Sequence, residues 1–182
     1  MIERMGVIVA SVLALVACGK VSEKASEKAA EKMIESQIAK EGGQAKVDLS
    51  SGGMKVTTTD ASGKTTHLEM GNAKVSEADI GLSFYPGTQP RDGEATKVSS
   101  SEGSMFTVVL HSEDAPDKVA GFYRDKLKAQ SEGKQFTESS GDGSHMLMLA
   151  DDKSKQVTQV MVGKGGEGKG SDIQIVASRS TK

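Results

Sequence analysis

Turn-forming clusters break this chain so often after Lys40 that short strands, not long helices, are what it can fold into. Ser50-Ser51-Gly52-Gly53, Asp60-Ala61-Ser62-Gly63, Gly71, Pro86-Gly87 and Gly133 punctuate it. Between them Val47/Leu49, Val56/Thr58 and Leu68/Met70 recur with period two, which puts each pair on one face of a strand. Aromatic residues make up 3% of the chain and tryptophan is absent, so the core must be assembled from Val, Ile, Leu and Met.

The pattern predicts strands near residues 45–49, 55–59, 65–70, 94–99, 105–111, 135–138, 145–150, 157–162 and 172–177. A helical turn is expected at 76–80. Tyr85-Pro86-Gly87 suits a type II turn, with Pro and Gly at its two central positions. Asp114-Ala115-Pro116-Asp117 opens a helix, with Asp114 as its expected cap. That helix carries Val119, Phe122, Tyr123 and Leu127 on one face. The expected fold class is α+β: an N-terminal helix and a small β meander, followed by a separate antiparallel sheet with one packed helix in the order β-β-α-β-β-β-β.

Before this region lies a segment rich in Glu and Lys at four-residue intervals: Glu23, Glu27, Glu31 and Glu35, with Lys24, Lys28 and Lys32. Its helix propensity is high, but the Glu-Lys order gives little i,i+4 support. Only its second half has an apolar stripe, Ala29, Ala30, Met33, Ile34 and Ile38, so it reads as a stalk that docks at its far end. An equally good reading of the same residues is a continuous surface helix that caps the domain.

At the amino terminus, an uncharged run from Met5 to Ala17 is too short to span a bilayer, for which about 20 apolar residues are needed. It has the length of a secretory h-region. Leu15, Val16 and Ala17 precede Cys18, the only cysteine. This LVAC quartet resembles the lipobox of bacterial lipoproteins, and the resemblance implies lipidation of Cys18 with cleavage before it. Gly19 in place of Asp implies outer-membrane sorting in a Gram-negative envelope. The implied organisation is a signal peptide at 1–17, a lipid-anchored helical tether at 18–41, a small β meander at 42–75 and an α+β domain at 76–182. With its one cysteine lipidated, the exported chain holds no disulfide.

Beyond the lipobox, the Glu/Lys-rich helix EKAAEKMIESQIAKEGG, the meander, the YPG turn and the FYRDKL segment resemble a loose group of bacterial envelope lipoproteins. The resemblance implies an architecture and supplies no catalytic residues. This chain departs from the group in the ADIGLSF approach to the YPG turn.

A formal net charge of −2 gives no basic excess with which to neutralise phosphates, which argues against nucleic acid as a partner. The glycine run 163–170 reads G-x-x-x-x-G-K but then has Gly where a phosphate loop needs Ser or Thr, and a strand-like segment follows instead of a helix. It is expected to be a hairpin loop. His67 and His145 each sit three residues before a Met, Met70 and Met148. On strands that spacing sends the two side chains to opposite faces, so no metal is expected. His111-Ser112-Glu113-Asp114 reads as local capping at a strand-to-helix junction.

No cofactor, metal or catalytic set is expected. The expected function is a non-enzymatic interaction module, held to the membrane by its lipid anchor and presenting a surface to a protein or peptidoglycan partner. The alternative is a periplasmic binder of a small apolar or lipid-like ligand. Phe84, Tyr85, Phe122 and Tyr123 are the candidate ligand or partner surface.

Overall fold

The computed structural model describes residues 23–40, 42–49 and 53–181. Leu15, Val16, Ala17 and Cys18 lie outside the described residues.

One antiparallel sheet dominates, and this corrects the α+β expectation of two units. Its strands are β1 (Gln44–Asp48), β2 (Met54–Thr59), β3 (Thr65–Gly71), β4 (Ala95–Ser100), β5 (Gly103–Ser112), β6 (Gln135–Gly141), β7 (Ser144–Asp151), β8 (Gln156–Lys164) and β9 (Ser171–Ser180). They lie in the order β1-β2-β3-β4-β5-β9-β8-β7-β6. The meander is therefore not separate. β3 pairs with β4 along its length, from Thr66 opposite Ser100 to Gly71 opposite Ala95. The physical reason is the backbone: the outer N–H and C=O groups of β3 need partners, and β4 supplies them.

Among the described residues three α-helices accompany the sheet: α1 (Glu23–Lys40), α2 (Glu77–Ile80) and α3 (Pro116–Ala129). Pro116 opens α3 as expected, but the capping residue is Ala115, whose methyl can accept no bond from the first-turn N–H groups. Asp114, the expected cap, bonds Tyr85 and Lys118 instead. Val119, Ala120, Tyr123 and Leu127 are buried against Leu147, Leu149, Val160, Val162, Ile173 and Ile175, all at most 5% exposed. The connector between β3 and β4 carries α2 and covers the neighbouring strands with Val75, Ile80, Leu82 and Tyr85. Ser76 caps α2 in a reciprocal box with Asp79, as the 76–80 turn predicts. Arg179 of β9 donates to the Ile80 carbonyl and so fastens α2 to the sheet.

Register divides the sheet into two unlike faces. The row Lys55, Glu69, Lys97, Phe106, Ala177, Thr158, Leu149, Phe136 runs across the helix-bearing face. On the other face runs Met54, Met70, Thr96, Thr107, Val176, Gln159, Met148, Thr137. A parallel row reads Val47, Val56, Leu68, Val98, Met105, Ser178, Val157, Ala150, Gln135. A third holds Val109, Gln174, Met161, Met146 and Ser139. None of these three rows contains a charged residue. Met70, Met105 and Met146 stand 41–45% exposed upon them.

α1 lies along the free edge of β1. Glu35 Oε1 accepts from the Val47 N–H and Glu31 Oε1 from the Leu49 N–H, both at 2.9 Å. Ile34 and Ile38 are half-buried, while Met33, expected in the docking stripe, is 59% exposed.

Candidate functional site

Tyr85, Phe122 and Tyr123 gather where the connector meets α3. Phe122 stacks edge-on against both tyrosines, with ring centroids 5.2 Å from Tyr85 and 5.1 Å from Tyr123. The i and i+1 positions of Phe122 and Tyr123 place one ring at the rim and one in the core. Tyr123 is fully buried, and its hydroxyl has no well-formed hydrogen bond among the described residues. Burial pushes its phenol well above the ordinary range. Tyr85 is buried too, but its hydroxyl donates to Asp114 Oδ2 at 2.6 Å. That bond favours the neutral phenol and raises its pKa. Asp114 is held below the usual carboxylate range, first by Lys118 at 2.8 Å and then by Tyr85. Three of the four sequence candidates thus pack against one another.

Phe84 points elsewhere. Gly87 takes a φ of 79° in the Tyr85–Thr88 turn, which closes through Thr88 N–H to the Tyr85 carbonyl at 3.0 Å. A residue without Cβ adopts that backbone freely. The turn buries Tyr85 and leaves Phe84 on the wall of an open groove of about 680 Å³. The groove lies between the start of the connector and the residues that lead into β4. Ala73, Val75, Phe84, Pro90 and Ala95 supply its apolar surface, and Lys74, Glu77, Arg91 and Asp92 bring charge of both signs. Glu77 also accepts from the Phe84 N–H at 2.8 Å, which fixes the aromatic residue at the wall. The proline-glycine signal pointed to the turn; the groove itself depends on chain return across residues 71–95, which local spacing does not encode.

A second groove of about 590 Å³ indents the face opposite α2 and α3, among Val109, Met146, Met161, Asp172 and Gln174. Beside it His111 spans two carboxylates, with Nδ1 2.7 Å from Asp172 and Nε2 2.6 Å from Glu94. The local capping expected at His111 from its neighbours is not its role. Its partners come from β9 and from the residue before β4, and those two bonds, Glu94 first, raise the imidazole pKa. Ser112, in the same stretch, does make a local bond, accepting from the Asp114 N–H at 3.1 Å.

The remaining sequence candidates are structural. His145 reaches Asp117 on α3 at 2.9 Å, while Met148 belongs to the opposite face. His67 bonds Thr57. The glycine run turns through one 3₁₀ segment, Gly166–Gly168, and continues into β9, not into a helix. Gly170 is required there, because a Cβ would lie 2.1 Å from the Ser112 carbonyl. Among the described residues no group of three or more His, Cys, Asp and Glu is placed to hold a metal, and no helix is long and apolar enough to cross a membrane.

Residues 93–168 are similar to a family described as START domain-like, a match over less than half of the chain. It fits a ligand-binding module. Comparison with curated proteins and with solved structures gives no match.

Proposed function

We propose that this chain is a non-enzymatic binding module of the bacterial envelope, held to the membrane through lipidated Cys18. Its ligand is a small molecule with an apolar body and a charged or polar head, taken by the groove beside Phe84. One observation carries this reading: a groove of about 680 Å³ combines an apolar lining with a few charged groups. Small-molecule sites commonly have that make-up, at volumes of about 300–1,000 Å³. The START domain-like match over 93–168 supports a binding role and reaches the groove at Ala95. It shifts the balance from a protein or peptidoglycan partner toward the small-ligand alternative. Buried side chains of α3 and the sheet form one core cluster, which favours a ligand position at the connector over one beneath the helix.

Binding of anilinonaphthalene sulfonate, which pairs fused rings with an anionic head, tests the groove. Phe84→Ala and Arg91→Ala should each weaken its binding about tenfold while leaving the circular dichroism spectrum intact. Affinity unchanged from that of the unsubstituted chain in both variants would sink the groove as the site. For the anchor, Cys18→Ala should abolish fatty-acid labelling and release the protein from membranes, and unchanged membrane partition would contradict it.

A further inference from the structure

We propose that the face of the sheet opposite α2 and α3, which among the described residues carries neither helix, is an interface between two copies of this chain, packed sheet on sheet. The inference is independent of the Phe84 groove, which lies at the connector. Three cross-strand rows on this face carry no charge, whereas Lys55, Glu69 and Lys97 lie side by side on the other. Met70, Val98, Met105, Met146, Met161 and Val176 supply its apolar surface, separated by Thr, Ser and Gln.

A second copy is the occupant this chemistry selects. In a two-fold pair each patch meets itself, so any charge near the axis would face its own like. The three rows without charge avoid that repulsion through the middle of the face, with Asp172 and His111 paired to each other at its end, and their Thr, Ser and Gln side chains can donate and accept across the seam. A membrane is a poorer fit, because surfaces that lie on lipid carry Lys or Arg with aromatic anchors, and these rows have neither.

The area is also sufficient. Six strands from β3 to β7, spaced about 4.8 Å apart with about seven residues each at about 3.3 Å, present roughly 650 Å² of flat sheet per copy. Two such faces reach the lower part of the roughly 1,200–2,000 Å² range of stable interfaces, before side-chain relief is added. The groove among Val109, Met146, Met161 and Gln174, with Asp172 at its end, provides a receptacle for a protruding methionine of the second copy.

Sedimentation equilibrium of the full chain, prepared without lipidation, tests this. The expected species has twice the 19.0 kDa monomer mass and dissociates on dilution. Thr107→Lys, at the centre of the face, should raise the dissociation constant at least tenfold with an unchanged melting temperature. If that variant fails to fold, Met146→Lys at an already exposed position repeats the test. Lys55→Glu, on the other face, should leave the dimer intact. A monomer at 200 µM, or a dimer indifferent to Thr107→Lys and Met146→Lys, would overturn the proposal. So would co-flotation of the monomer with phosphatidylethanolamine/phosphatidylglycerol vesicles that Thr107→Lys abolishes, which would assign the face to lipid.

Discussion

His111 has a carboxylate at each ring nitrogen, and only the imidazolium carries a proton for both. The pairing with Glu94 and Asp172 raises its pKa above the ordinary 6.5. The pair therefore stabilises the fold fully below about pH 6.5, and that contribution is lost as pH rises through the higher folded-state value. A ¹H–¹⁵N titration should place the His111 midpoint above 6.5, and Asp172→Asn should lower it. His111→Gln should destabilise by about 1 kcal/mol at pH 6, for a half-exposed ion pair, and by less at pH 9. A midpoint at or below 6.5 would contradict the bridge. The two buried tyrosines make a sharper contrast. Tyr85→Phe removes a hydrogen bond to a carboxylate and should cost about 1–2 kcal/mol in urea denaturation. Tyr123→Phe removes a buried hydroxyl without a well-formed partner and should be neutral or stabilising by up to about 1 kcal/mol. Equal losses at both positions would mean that Tyr123 has a strong partner.

At the scale of elements, the four-residue spacing of glutamates in α1 acquires a purpose. Four helical residues rise about 6 Å, and outward-facing N–H groups on a strand edge recur every two residues, about 6.8 Å apart. Glu31 and Glu35 therefore meet Leu49 and Val47 in step, and their carboxylates protect an edge that would otherwise be open to pairing. Glu31→Ala with Glu35→Ala should accelerate amide exchange at Val47 and Leu49 and cost about 1 kcal/mol. Unchanged exchange would show that Ile34 and Ile38 hold α1 alone. The repeat was plain in the sequence, but judged only by pairing within the helix it looked weak; its partners are backbone groups of another element. Most strands were likewise legible, because alternation and glycine punctuation are local signals. So was the inner face of α3, from the spacing of Val119, Tyr123 and Leu127. The Glu94–His111–Asp172 bridge was not legible, since its members lie 17 and 61 residues apart and meet only through strand order.

The whole molecule is one continuous sheet with uneven cover, and that difference follows from a pairing the sequence does not announce. Strand β4 joins β3 only after a connector of more than twenty residues, so period-two patterning identifies both strands without linking them. Once joined, β5, β7, β8 and β9 share the core beneath α3 and the connector, where Leu110, Val160, Ile173 and Ile175 are wholly buried. Strands β1 to β3 extend beyond that cover. In them Val47 is the sole buried residue of the described set, and α1 is their packed helix. Local opening requires less free energy where fewer apolar contacts are lost. Native-state hydrogen exchange should therefore rank amides of Ile173 and Ile175 near the global unfolding free energy. Val56 and Leu68 should exchange through openings several kcal/mol less costly. Because β3 is hydrogen-bonded along β4, opening of β1 to β3 must also free one edge of β4, so Val98 should show intermediate protection. If Val56, Leu68, Ile173 and Ile175 exchange with one free energy, the nine strands unfold as a single unit, and continuity of the ladder outweighs the absence of cover.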